Sequence, residues 1–305
     1  MKIAGNTNFI ASNEISFALV NGDPVVALES TVITHGLPYP ANLELAKELK
    51  SIVQSMGAIP GMIALLDGVI RLGLNDSELT RLAGESGMRK ISARDLGVAV
   101  SQNWSGGTTV AGTIYCAHLA GIKVFATGGI GGVHLGPGFD ISADLLQLSR
   151  TPIIVICSGA KAILDLRATV ELLETIGVPI IGYRTYDFPA FYSTRSGIRL
   201  ESSAETAEEI AEIANQMWNL NSTSALLVAN PPPAEYAVSF EEIERAVNES
   251  VKEAEREGIS GKEVTPYLLE RVADKTSKRS IKANLELLKN NAKTAASIAI
   301  AYSHL

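Results

Sequence analysis

The feature that most constrains this chain is an alternation that starts at residue 24 and recurs through most of its length: a short β-branched run, a Gly or Ser turn, then a helical pattern. "PVVALE" passes through "STVITHGLPYP" into "ANLELAKELKSIVQSMG". Later come "IKVFAT", "TPIIVICSG" followed by "AKAILDLRATVELLETIG", "VPIIGYRTYDFPAFYS" and, after one more helix, "SALLVANPPP". Such alternation belongs to an α/β sheet covered by helices. One segment breaks the rule: "MIALLDGVIRLG" sets an Asp-Gly pair between two apolar runs and reads as a hairpin, so the sheet is expected to be mixed, though largely parallel. From about Phe240 the pattern is wholly helical. No Pro-, Gly- or Ser-rich linker divides the chain and no repeat is evident, so residues 1–305 read as one domain.

Composition narrows the function classes. A net charge of -7 argues against an extended nucleic-acid surface while leaving room for a local basic pocket. Cys116 and Cys157 lie in apolar contexts without metal-like spacing and read as reduced, buried thiols. The first twenty residues lack the apolar core and cleavage site of a secretion signal, and no apolar run approaches a bilayer span, so a cytoplasmic protein with no membrane partner is expected.

In open α/β sheets ligands bind at the carboxyl ends of strands. That rule gathers four polar clusters: Glu29 after "VVAL", the stretch from Thr127 to Asp144, Lys161 after "VICSGA", and Asp187. Glu29 reads either as a carboxylate bonded to its own following loop or as a general acid or base near His35. Lys161 is placed by the pattern at the start of a helix, where the backbone disfavours an ammonium; it is a surface lysine or a nucleophilic amine. "TGGIGGVHLGPGFDISADL" offers glycine amides, and Ser142 is placed to cap a helix, both suited to a phosphate. The GxGxxG and P-loop spacings are absent, however, so a flexible loop is the plain alternative. Asp140 and Asp144, with His134 nearby, suit at most a hard cation held by one carboxylate, waters and a substrate phosphate. Arg89, Lys90 and Arg94 form a basic loop, either a solvated face or a phosphate contact. Thr109, in "SGGTTVAGT", belongs to a pocket wall or to close helix packing. Asn284, inside a helical pattern, is a substrate contact or a satisfied packing amide.

The ordered series "ALESTVITHGLPYP", "KISARDL", "GGTTVAGT", "ATGGIGGVH", "DISADL", "CSGAKAILDL", "DFPAFY" and "KANLELLKNNA" resembles the pseudouridine-5'-phosphate glycosidases, also described as indigoidine synthase A-like proteins. The resemblance spans nearly the whole chain. It implies a three-layer α/β/α fold, a homotrimer, and reversible cleavage of the carbon–carbon glycosidic bond of pseudouridine 5'-phosphate to uracil and ribose 5-phosphate. By matching motifs, Lys161 is the implied nucleophile and Glu29 the proton donor. Lys90, Val110, Ser142, Ala143 and Asp144 are implied substrate contacts, joined here by Thr109, His134 and Asn284, and Asp140 is the implied ligand of a manganese ion otherwise held by water.

The departing atom, C5 of uracil, is a poor leaving group, which is where an amine helps: bonded to C1', its nitrogen lone pair can expel the base and leave a Schiff base. A free lysine is neutral in only roughly one molecule in a few thousand at pH 7, so the site must favour the uncharged form. Other readings are a Schiff-base aldolase acting on a sugar phosphate, and a non-catalytic sugar-phosphate-binding or pigment-pathway accessory protein. Two departures from the family pattern concern loops: "NPPPAEY" in place of "NPIPEE", and "KTSKRS" where a glycine-bearing turn is usual.

Overall fold

The computed structural model describes residues 7–135, 140–259 and 264–305. Its strands are β1 (Phe9–Ala11), β2 (Val25–Leu28), β3 (Ile59–Leu66), β4 (Val69–Leu72), β5 (Arg89–Ile91), β6 (Gly106–Thr108), β7 (Val124–Ala126), β8 (Val133–His134), β9 (Ile154–Cys157), β10 (Leu164–Asp165), β11 (Ile180–Tyr183), β12 (Ser202–Ala204) and β13 (Leu226–Ala229). The helices are α1 (Asn13–Asn21), α2 (Ala41–Ser55), α3 (Asp76–Gly84), α4 (Leu96–Ser101), α5 (Val110–Leu119), α6 (Ala143–Leu148), α7 (Leu166–Thr175), α8 (Ala207–Asn219), α9 (Phe240–Glu257), α10 (Val264–Lys275) and α11 (Arg279–Ser303).

The main sheet runs β1-β4-β3-β2-β7-β9-β13-β11-β12, with β6 also on β3 and β5 on β6. From β3 to β12 every neighbouring pair is parallel, whereas β3–β4 and β3–β6 are antiparallel. The sheet is therefore mixed and largely parallel. Its antiparallel hairpin turns at Asp67 (φ 50°) and Gly68 (φ 72°), the left-handed pair that an Asp-Gly turn provides. Every residue of β2, β7, β9 and β13 is buried, as strands covered on both faces must be. Helices α2, α8 and α11 pack together along one face, with α11 crossing β2, β7 and β9, while α5 lies on β2 and β3 beside α6. The expected α/β/α layering with a helical C-terminal region is what forms.

Three local differences from the sequence reading matter for the site. "RKI" is a strand rather than a loop, paired in parallel with β6. The helix expected from Ala160 begins only at Leu166: Asp165 caps it by accepting from Ala168 N at 2.9 Å, and Leu164–Asp165 first pairs with β8. Where the resemblance implies a glycine-bearing turn, Ser277 (φ 50°) and Lys278 (φ 61°) hold left-handed conformations between α10 and α11.

Candidate active site

A cavity of about 640 Å3 opens at the carboxyl ends of the central strands. Glu29, Lys90, Lys161 and Asn284 all line it, together with His35, Thr31, Trp104 and Phe191, which sequence reasoning had not assigned to a site. Topology explains the convergence. Glu29 immediately follows β2 and Lys161 follows β9, and these strands flank β7, which is followed by Thr127.

Glu29 is half-buried, and the next residue anchors its strand end: Ser30 Oγ donates to Ile63 O (2.5 Å) and accepts from Thr108 N (3.0 Å). Thr127 Oγ1 donates to Glu29 Oε1 in a close contact. Burial pushes the Glu29 carboxyl above its ordinary range; Lys161, the Thr127 donation and Lys90 oppose that shift, and the Asp144 charge adds to it. A carboxylic acid that keeps its proton toward neutral pH is the form a proton donor needs. Lys90 is pushed down by desolvation and by Lys161, with Asp144 and Glu29 pulling the other way. Two amines and two carboxyl groups thus act on one another across this space.

Lys161 reaches the cavity from a loop stapled to the glycine-rich segment. Its N–H donates to Ile130 O (3.1 Å), and Ile130 N donates to Gly159 O (3.1 Å). Gly159 sits at φ 85° with Pro189 O only 2.0 Å from where a Cβ would be, so a larger residue cannot carry this turn. Because α7 starts at Leu166, the helix-end charge invoked from sequence does not act on Lys161.

Residues 136–139 of the glycine-rich segment lie outside the described residues, and its described part is less open to an anion than its composition suggested. The amides of Ile130, Gly131, Val133 and His134 are taken by Gly159 O, Asp144 Oδ2, Thr169 Oγ1 and Asp140 O. Gly128 and Gly129 face the cavity.

The remaining expected residues do not line that cavity. Asp144 is buried and spends both carboxylate oxygens on backbone, accepting from Ala111 N and Gly131 N, each at 2.9 Å. It thereby joins the first turn of α5 to the glycine segment while its charge still reaches Glu29 and Lys90. Thr109 caps α5 by accepting from Gly112 N (3.2 Å), and Val110 is buried behind it. Ser142 caps α6, where it accepts from Asp144 N (3.3 Å), and Ala143 opens that helix. His134 pairs with Leu164 in the small β8–β10 sheet. Asp187 binds its own loop through Ser196 N and Gly197 N.

His35 is held at Nδ1 by Thr34 Oγ1 (2.6 Å) and pushed down by burial and by Lys90, so it presents a neutral ring to the cavity. Thr31 Oγ1 is buried without a hydrogen-bond partner, a polar atom with capacity to spare for a ligand. Arg89 lies 3.9 Å over the Trp104 ring at the same cavity, and Phe191 and Tyr192 meet edge-to-face. The thiols of Cys116 and Cys157 are buried and raised to about 12, as expected of inert cysteines.

Asp140 is largely exposed, with His134 Nδ1 4.0 Å from its carboxylate. Among the described residues no group of three or more His, Cys, Asp and Glu side chains converges as a metal cage. Asp140 fits a hydrated cation with one protein oxygen, not a tightly held structural metal.

An α/β sheet whose strand ends bring an acid and two amines to one cavity defines a class of small-molecule site, and comparison with known proteins gives it a family. The indigoidine synthase A like protein model matches residues 14–301, and the chain belongs to that family. Pseudouridine-5'-phosphate glycosidases of Caldanaerobacter subterraneus subsp. tengcongensis and Staphylococcus aureus are each 50% identical to it over 296 residues, covering 96% of both chains. The prealnumycin C-glycosynthase AlnA, solved in complex with ribulose 5-phosphate, superposes with a TM-score of 0.92 at 38% identity over 98% of each chain. An indigoidine synthase A-like protein from Thermotoga maritima gives 0.88 at 38% identity, covering 97% of this chain and 96% of the other. Among the described residues no helix is long and apolar enough to cross a membrane.

Proposed function

We propose that this chain cleaves the C–C glycosidic bond of pseudouridine 5'-phosphate, reversibly, giving uracil and ribose 5-phosphate. The observation that carries the reading is the convergence of Lys161 and Glu29, from the ends of β9 and β2, on one cavity that also contains Lys90, in a chain half identical to glycosidases of that name.

In the proposed chemistry the Lys161 nitrogen bonds to C1' through its lone pair as the C1'–O4' bond breaks, and Glu29 delivers its proton to O4', leaving an open-chain amine adduct. Glu29, now a carboxylate, takes the proton that the bonded Lys161 nitrogen sheds and passes it to uracil C5, and the freed nitrogen lone pair forms the C1'=N bond as the C1'–C5 bond breaks, its electrons restoring the uracil ring. Water hydrolyses the iminium, releasing ribose 5-phosphate and returning Lys161. Lys90 supplies positive charge for the phosphate, and Asn284 and the unpartnered Thr31 hydroxyl face the remaining polar edges of the substrate. Asp144, Ser142, Thr109 and Val110 shape this space from behind by fixing the starts of α5 and α6.

Manganese, if bound, takes Asp140 as its single protein oxygen, with water completing the shell, and supplies positive charge for the phosphate. A cytoplasmic homotrimer completes the proposal. Tyr115 and Leu119 on α5 and Leu146 on α6 are exposed apolar side chains on helices that pack together, a suitable buried face for a second copy. Light scattering checks the assembly.

The test is uracil release from pseudouridine 5'-phosphate, assayed after chelation and again with manganese restored. Uracil and ribose 5-phosphate in equal amounts support the reading. A smaller aldehyde fragment without uracil points to an aldolase, and tight sugar-phosphate binding without turnover points to an accessory protein.

A further inference from the structure

Three neighbouring parallel strands, β7, β9 and β13, are each followed directly by a buried polar residue: Thr127, Ser158 and Asn230. All three meet a single side-chain amide, that of Asn291 on α11, which is completely buried. Asn291 Nδ2 donates to Thr127 O (2.8 Å) and Ser158 Oγ (3.1 Å), with Gly128 O at 3.4 Å, and its Oδ1 accepts from Asn230 Nδ2 (2.8 Å). Asn230 continues the chain of bonds to Thr294 Oγ1 (3.2 Å), one turn further along α11. Both N–H donors of the amide are therefore engaged, and its carbonyl accepts from Asn230 with Ser158 Oγ 3.4 Å away, so the side chain is committed to the strand ends.

What the amide holds is the frame of the reaction. Thr127, bound through its carbonyl, is the residue whose hydroxyl donates to Glu29. Ser158 begins the turn that leads through Gly159 to Lys161, and its own carbonyl accepts from Phe191 N (2.9 Å) at the cavity wall. The acid and the nucleophile come from strands that are not hydrogen-bonded neighbours, since β7 lies between them. Among the described residues no hydrogen bond or salt bridge joins the Glu29 side chain to that of Lys161; Glu29 is bonded to Thr127. The strand ends must fix their separation, and Asn291 is where those ends are tied.

We infer that Asn291 is a positioning residue: by binding the ends of β7, β9 and β13 together it sets the distance and orientation of Glu29 relative to Lys161. This rests on the proposed reaction for its kinetic consequence, but the geometric claim is readable without turnover. Glu29 faces Lys161, Lys90 and Asp144 as charged neighbours, and Thr127 as its hydrogen-bond donor. Loosening Thr127 weakens a donation that favours the carboxylate, and a longer Glu29–Lys161 distance weakens the lowering by the Lys161 charge, so both changes raise the Glu29 pKa further while Lys90 and Asp144 are retained.

The experiment compares wild type with Asn291→Ala, Ser158→Ala and Thr127→Val. Carboxyl 13C NMR follows Glu29, its signal assigned by loss in Glu29→Gln, and steady-state kinetics follow uracil release. Asn291→Ala is expected to raise the Glu29 midpoint in the same direction as Thr127→Val and to lower kcat on the order of 100-fold, the scale of a 1 Å misplacement, with KM changed far less. An unmoved Glu29 midpoint, or a folded Asn291→Ala enzyme with wild-type kcat and only a lower Tm, overturns the inference. Should Asn291→Ala not fold, Ser158→Ala decides: it deletes one hydroxyl on the Lys161 side, and a fall in kcat with Glu29 titrating as in wild type supports the frame, whereas unchanged kcat refutes it. A wild-type protein that releases no uracil defeats the proposed reaction, while the Glu29 midpoints in Asn291→Ala and Thr127→Val still decide the positioning claim.

Discussion

Replacing Asp144 by asparagine removes a charge from behind the site while nearly preserving shape. The carboxylate accepts from Ala111 N and Gly131 N, one bond at each oxygen. An asparagine can present its carbonyl to only one of these amides and must turn its NH2 toward the other, donor against donor. The bond that remains loses its ionic character, and the other leaves a buried N–H unsatisfied, at about 1–3 kcal/mol for the orphaned group alone. Relief from burying a charge offsets part of the loss, leaving a net destabilisation of about 2 kcal/mol. With an unfolding entropy near ~2.1 cal/mol/K per residue over 305 residues, that corresponds to a fall in Tm of about 3 °C.

A second consequence is independent of stability. The Asp144 charge pushes Glu29 up and supports the ammonium of Lys90, so its removal lowers both groups. Activity that requires protonated Glu29 falls as pH rises through the Glu29 pKa, and in Asp144→Asn this alkaline limb moves to lower pH. Differential scanning calorimetry and a kcat/KM–pH profile read the two effects. A Tm within 1 °C of wild type together with an unmoved limb refutes Asp144 as both clamp and charge.

Other perturbations follow from the same geometry. Because burial raises Glu29 in the folded state, its contribution to stability is full below the unfolded carboxyl range and is lost as pH rises through the folded value. Glu29→Gln is therefore expected to raise Tm relative to wild type at pH 8, with the difference shrinking toward pH 4, while uracil release is abolished; calorimetry at both pH values checks it. Lys278→Gly relieves a left-handed non-glycine residue in the turn before α11 and is expected to stabilise by about 1 kcal/mol without changing kcat, as read by urea denaturation. Lys90→Ala is expected to narrow the preference for phosphorylated over unphosphorylated pseudouridine; unchanged discrimination rejects its phosphate role.

The strand-end logic of the site was open to reading because it depends on local pattern: Val25–Leu28 and Ile154–Cys157 are short apolar runs, and polar residues follow each. The Asp67–Gly68 hairpin was likewise written in two adjacent residues. What escaped reading depends on tertiary contacts. "RKI" lacks strand alternation, and its partner β6 is "GGT", where Gly106 is needed because a Cβ would lie 2.0 Å from Arg89 O. Helix α7 was placed too early because "AKAILDL" has helical periodicity, and only the pairing of Leu164–Asp165 with β8 delays the start to the Asp165 cap. Asn284 drew attention as a polar residue in a helix, yet Asn291, seven residues on in the same motif, carries the buried network. Helical periodicity places both asparagines, and only the packed sheet distinguishes the amide at the cavity from the one holding the strands. Asp144 was read as a contact for substrate, and what sequence spacing did not reveal is that its oxygens also hold two backbone amides.

The most direct test of the central claim is reductive trapping at Lys161. Protein incubated with ribose 5-phosphate and borohydride is expected to gain one sugar-phosphate adduct by intact mass, mapped to the peptide containing Lys161 and absent from Lys161→Ala, which releases no uracil. An unmodified wild-type protein together with a Lys161→Ala variant that still releases uracil would contradict the account.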